Sequence, residues 1–182
     1  MVVAAVNRMD APDPRIAAAV AGDRRAAESL LAELLPRVRN LVRCLMRGDS
    51  AVDDVAQESL MAILRGLPSY RGEGSLKSWS DRVVARTTFA TIRRLRADER
   101  SRAPEPQLEA LAHPDALPET FAARRELVRR LDELPYDQRH ALVLHHVLGM
   151  TVPEIAEEVG APQETIRSRL RLGKANLRKD EV

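Results

Sequence analysis

The sequence predicts an all-α protein: two small helical domains joined by a proline-rich linker, the second containing a helix-turn-helix. Three observations lead there. Aromatic residues are only 3% of the 182, while Ala, Leu and Arg abound, and that composition favours helices over packed sheets. Apolar residues recur at helical spacing, and no segment alternates as a strand does. Residues 97–118 hold four of the eleven prolines, Pro104, Pro106, Pro114 and Pro118, with mixed charges and no sustained apolar period. Prolines this dense prevent a helix and favour an extended connector. The expected division is a helical domain over 1–96, a linker over 97–118 and a smaller helical domain over 119–182.

Helix starts are written locally. Asp13-Pro14 gives a cap followed by proline at the first helical position. Ser50–Asp53 and Thr151–Glu154 both read as capping boxes, and Ser75 can cap a helix running to Arg96. Pro36 interrupts the apolar series Leu30, Leu31, Leu34, Leu35, Val38, Leu41, Val42, Leu45 and is expected to kink or divide that helix. Gly48, Gly66 and Gly149 fall where helices should stop.

Composition also excludes classes of function. No apolar run approaches the roughly 18 residues of a membrane span, and Met1–Asp10 lacks the basic start of a signal peptide. One cysteine, Cys44, allows neither an internal disulfide nor a Cys-cluster metal site. His140, His145 and His146 are close in sequence, but offsets of five and six do not bring all three to one helix face. The expectation is a cytoplasmic protein with no cofactor or metal, and not an enzyme.

Charge points to a polyanion. The net charge is only +2 with a sequence pI of about 9.0, yet 26 of the 29 basic residues are arginine, whose planar fork suits phosphate and guanine edges. Arg82–Arg96 holds five arginines and no acid, and Gln163–Lys179 six basic residues against Glu164. Each stretch alone could be a solvated helix face. Together they suggest two contacts.

The most specific motif is Thr151–Lys174. Ile155, Ala156 and Val159 form one face, Gly160 permits the positive φ of a tight turn, and Ile166 and Leu170 form a second face. Pro162 and Glu164 suit the first turn of the second helix. Gln163, Glu164, Thr165, Arg167, Ser168, Arg171 and Lys174 are then candidates for the major groove and its phosphates. A structural αα-hairpin shares this spacing but not its arginine-rich outer face.

Upstream, Val52, Val55, Ala56, Leu60, Ile63, Leu64 and Leu67 cluster on one side of a helix, while Asp53, Asp54, Gln57 and Glu58 share another. That polar side could receive basic residues of a partner, or could equally be solvated. A glycine-containing loop, Pro68–Ser75, then leads into a basic helix whose inward stripe reads as Trp79, Val83, Val84, Thr87, Ala90 and Leu95. Such a loop beside such a helix could accept unstacked bases.

In this order, the acidic helix VDDVAQESLMAIL, the loop PSYRGEGSLKSW, the basic helix, the linker and the final helix-turn-helix resemble the sigma-70 family of bacterial RNA polymerase sigma factors. The compact, two-domain form is similar to its extracytoplasmic-function (ECF) group, and the likeness spans roughly Asp13–Arg178. The resemblance implies that Asp53, Asp54, Gln57 and Glu58 meet the β′ clamp helices of core polymerase. It implies that Tyr70, Arg71, Ser75, Lys77 and Trp79, with Arg82, Arg86, Arg93 and Arg94, capture and melt the −10 promoter element. The helix-turn-helix would read the −35 element as duplex, and an anti-sigma factor would be a further partner, with no direct membrane insertion. Thr87, Thr91 and Ser80 depart from the family pattern along the basic helix. The alternative reading, a stand-alone helix-turn-helix regulator, leaves the acidic face and the loop unexplained.

Overall fold

A computed structural model describes residues 13–48, 50–101 and 120–178, and every regular element among them is helical. Helix α1 (Pro14–Val20) begins at Asp13, whose carboxylate accepts from the Arg15 amide at 2.9 Å. Helix α2 (Arg24–Leu45) is not divided at Pro36. Pro36 and Ala32 both lie on the exposed side, so the carbonyl that loses its intrahelical donor is on the water side. Leu34, Val38, Leu41, Val42 and Leu45 remain buried along the other.

Helix α3 (Val52–Gly66) starts from Ala51 without a side-chain cap, so the capping box expected at Ser50 is not formed. Asp53 is instead drawn to Arg39 of α2 at 2.8 Å. Helix α4 (Leu76–Ser101) starts where Ser75 Oγ accepts from the Ser78 amide at 3.1 Å, and it continues five residues past the expected boundary at Arg96. The remainder of the proline-rich linker, 102–118, lies outside the described residues.

The inward face of α4 differs from expectation. Ser80, Asp81, Val84, Ala85, Thr88, Phe89, Thr91 and Ile92 are buried, whereas Ala90 and Leu95 are exposed. Polar residues enter this face because partners wait for several of them. Asp81 accepts from Arg37 Nε at 2.7 Å, Thr91 Oγ1 donates to Glu58 at 3.0 Å, and Ser80 Oγ donates to the Lys77 carbonyl at 2.9 Å. An apolar-periodicity argument cannot see such pairs.

The C-terminal helices are α5 (Thr120–Glu133), α6 (Tyr136–His146), α7 (Val152–Val159) and α8 (Gln163–Arg178). The Thr151–Glu154 capping box forms reciprocally. Gly160 takes φ +68° in the turn to α8, and Pro162 stands just before α8, its carbonyl accepting from the Ile166 amide at 3.2 Å. Ile155, Ile166 and Leu170 are buried as the motif requires. Gly173 lets α8 lie tight on α6, since a Cβ there would meet Leu142 Cδ1 at 2.8 Å.

The two halves share one buried apolar cluster, from Leu34 through Ile92 to Leu131 and Leu170. At their junction Arg139 of α6, only 2% exposed, donates to the carbonyls of Arg43 and Cys44 at 2.8 Å each and of Met46 at 2.5 Å. These are acceptors at the C-terminus of α2, where a buried cation also meets the negative end of the helix dipole.

Candidate nucleic-acid interface

Three surfaces carry the residues singled out by sequence. On α3, Val52, Val55, Ala56, Ser59 and Ile63 turn inward, which leaves Asp53, Asp54, Gln57 and Glu58 exposed together. Two of the acids are already engaged within the chain. Asp53 pairs with Arg39, and Glu58 accepts from Thr91 and lies 3.8 Å from Arg94 of α4. The acidic face and the basic helix are thus joined through Glu58, a link that no spacing along α3 reveals.

The loop before α4 is tied by Tyr70, whose hydroxyl donates to the Gly74 carbonyl at 2.6 Å. Trp79 is half-buried and packs with Tyr70, ring centroids 5.4 Å apart, against the last residue of α3. It therefore helps to hold the loop. Arg71, Ser75 and Lys77 are exposed around it.

Along α4, Arg82, Arg86, Arg93 and Arg94 are exposed, as a phosphate-facing row should be. Arg82 and Arg86, while exposed, also meet carboxylates of α7. Arg82 lies 3.5 Å from Glu154, and Arg86 makes a two-pronged pair with Glu158, at 3.2 and 3.0 Å. The Glu158 hydrogen bonds raise the Arg86 pKa, while the Thr151 amide and hydroxyl are the main reason that the Glu154 carboxyl stays below its usual range. Beyond these pairs, a cavity of about 470 Å³ is lined by Phe89, Arg93, Arg96, Tyr136, His140 and Arg169, among others. The Arg96 guanidinium stacks 3.7 Å above the Tyr136 ring.

On α8, Gln163, Glu164, Arg167, Arg171 and Lys174 are exposed, and Thr165 and Ser168 are half-buried beside them. Arg167 pairs with Glu164 one turn back, which holds it over the N-terminal part of the helix. Arg169 is turned away, bonded to Asp137 of α6 at 2.7 Å. It and the Asn176–Gln138 bond of 2.8 Å fix α8 on its support. The result is a rigid helix with a basic outer face, the geometry that major-groove entry requires.

The histidines do not converge. His140 is buried against Phe89 and Tyr136, His145 Nδ1 bonds the Met150 carbonyl at 2.8 Å, and His146 is exposed. Among the described residues no group of three or more His, Cys, Asp or Glu is placed to hold a metal ion, and no helix is long and apolar enough to cross a membrane.

Comparison with known proteins gives matches along most of the chain. Residues 30–100 match Sigma-70 region 2, and residues 124–177 match Sigma-70, region 4. The ECF RNA polymerase sigma factor SigM of Mycobacterium tuberculosis is 31% identical over 163 residues, covering 89% of this chain and 80% of that protein. Among solved structures, CnrH in complex with the cytosolic domain of CnrY superimposes with a TM-score of 0.56 at 20% identity, over 93% of this chain and 96% of that one. The sigma factor RpoE of Bartonella quintana, solved with the anti-sigma factor NepR, gives 0.55 at 22% identity, over 84% and 94%.

Proposed function

Because the chain belongs to the ECF RNA polymerase sigma factors of the sigma-70 family, we propose a division of labour among its three surfaces. As a sigma factor it binds core polymerase and directs initiation at promoters. In our reading α3 supplies the core contact through Asp53, Asp54, Gln57 and Glu58. The loop from Tyr70 and the arginines of α4 take the −10 element, and α8 takes the −35 element. The units that carry these tasks are 1–96 and 119–182, with α4 extending the first to Ser101 and 97–118 otherwise serving as the connector.

The observation that carries this reading is the co-occurrence, on one chain, of an exposed acidic face and two separate basic helices, one of them in a helix-turn-helix. A stand-alone regulator needs only the last. No covalent step is assigned to the protein. Base-edge and phosphate contacts from α8 position the complex on duplex DNA, and contacts to unpaired bases offset the few kcal/mol that unstacking each base costs. Two modest contacts held through one core enzyme gain from high effective concentration. The reaction places the protein in the cytoplasm with polymerase. An anti-sigma factor is a fitting regulator, as NepR is the partner of the Bartonella relative.

The test is run-off transcription on a library of promoter fragments, using purified core polymerase with and without the protein. Discrete start sites only in its presence are expected. No initiation, together with duplex binding in the absence of core, would overturn the reading in favour of a stand-alone regulator.

A further inference from the structure

The cavity of about 470 Å³ beside α4 falls within the size range of small-molecule sites, and its lining is charged. Arg93 and Arg96 of α4, Tyr136 and His140 of α6 and Arg169 of α8 all contribute to it. Two carboxylates line it as well, and both are engaged. Asp137 accepts from Arg169 at 2.7 Å, and Glu158 accepts from Arg86 at 3.0 Å. Arg93 and Arg96 have no carboxylate partner among the described residues, so the cavity keeps an excess of positive charge.

Its wall also holds an orphaned polar atom. His140 is only 6% exposed, and its Nε2 is buried with no hydrogen-bond partner among the described residues. A buried polar atom left unpaired carries a desolvation cost that a suitably placed ligand atom removes. Burial, and then the charges of Arg169, Arg96 and Arg93, hold the imidazole well below its usual pKa. Three guanidinium groups from two helices therefore act on one neutral ring, and an anion placed among them is attracted by all three. The Arg96 guanidinium already lies over the Tyr136 ring, and its planar group has a second face on which another ring can stack.

We propose that this cavity binds a small organic phosphate that carries a planar ring, of the nucleoside monophosphate class. Arg93 and Arg169 take the phosphate, the Arg96–Tyr136 pair supports the ring, and His140 Nε2 gains its missing partner from a polar atom of the ligand. The arginine fork matches two phosphate oxygens, and Arg169 keeps further N–H donors after its bond to Asp137. Inorganic phosphate would satisfy the arginines but leave the stacked pair and the apolar wall of Phe89 and Val159 unused, which is why the ligand carries a ring. Occupancy stabilises the folded chain by mass action and ties that stability to the abundance of the ligand. The site does not depend on the promoter or core-polymerase assignments above, and its test requires neither.

The experiment is isothermal titration calorimetry on the full chain without core, using AMP, GMP, adenosine and inorganic phosphate as probes. At least one mononucleotide is expected to bind with one-to-one stoichiometry, about tenfold more tightly than adenosine or inorganic phosphate. No mononucleotide binding up to about 1 mM would overturn the proposal, and so would equal affinity for mononucleotide and inorganic phosphate. Arg93→Gln with Arg96→Gln should reduce affinity about tenfold or more, as loss of charge-assisted phosphate contacts does, while Arg65→Gln, on the exposed side of α3, should not. His140→Leu removes Nε2 without leaving a buried polar atom behind, and should weaken binding about three- to tenfold. Circular dichroism confirms that each variant is folded. Unchanged affinity in both cavity variants would place the ligand elsewhere and overturn the assignment. A single-stranded tetranucleotide that binds through the same residues when mononucleotides do not would give the cavity to nucleic acid and also overturn it.

Discussion

Removing the Arg139 side chain is the perturbation with the largest consequence written in the structure. Its guanidinium satisfies the carbonyls of Arg43, Cys44 and Met46, and it meets Asp132 at 2.6 Å. Asp132 is shared with Arg43, whose Nη2 lies 2.6 Å away. Burial draws the Arg139 pKa down against the pull of Asp132, yet a guanidinium stays charged in any accessible solvent. For Asp132, burial acts to raise the pKa, but hydrogen bonding from Arg43 and the charges of Arg139 and Arg43 prevail and the net shift is downward. In Arg139→Ala the carbonyls at the end of α2 lose their donor and the junction loses its packing. Breaking a buried, hydrogen-bonded pair costs about 3–5 kcal/mol, against a total stability of about 5–15 kcal/mol for a folded domain. Urea unfolding followed by far-ultraviolet circular dichroism should show that loss. For a chain of this size it corresponds to a melting temperature lower by roughly 6–20 °C. Arg139→Lys should fall between, because one ammonium cannot span three carbonyls and a carboxylate. A loss below about 1 kcal/mol, the scale of an exposed pair, would refute the idea that this residue joins the halves.

Further outcomes follow from other sites. His140 is held well below its usual pKa, chiefly by burial and then by Arg169, Arg96 and Arg93, so the folded state resists protonation while the unfolded chain accepts it. Stability should be full above about pH 6.5 and fall below it with a slope approaching about 1.4 kcal/mol per pH unit. His140→Leu should flatten that limb in denaturant titrations at pH 5 to 7, and an unchanged slope would contradict the assignment. Gly173→Ala should lower the melting temperature, because Leu142 is itself buried and overpacking costs about 1–3 kcal/mol, more than the ~1 kcal/mol helix-propensity gain; a rise would show that α8 can shift. Asp54→Ala with Gln57→Ala should weaken core-polymerase affinity by about five- to tenfold, as loss of interface contacts does, with no change in melting. Unaltered affinity would remove α3 as the core contact.

Much of this protein was legible residue by residue. The caps at Asp13, Ser75 and Thr151, the turn at Gly160 and the inward faces of α3 and α8 all depend on groups within about four positions of one another, which is the range over which helix signals act. The exposed sets Asp53–Glu58 and Gln163–Lys174 follow from those faces, and so does the reading of two basic surfaces. The resemblance to sigma factors rested on the order of these local features, and the family matches agree with it.

What failed locally failed for a nonlocal reason. Ser50 did not cap α3, and Asp53 was pulled to Arg39 of α2. The stripe read along α4 was rotated because Arg37 supplies a distant partner for Asp81, and Glu58 one for Thr91. The Arg139 junction and the two ion pairs of the α4–α7 seam link residues 72 to 96 positions apart. Periodicity carries no term for such separations, since an exposed arginine looks the same whether its acid is water-bound or one domain away. The sequence by itself therefore determined the helices, their caps and which faces are charged. Only tertiary packing decided which of those charges meet each other, because that depends on how the halves close over a shared apolar core.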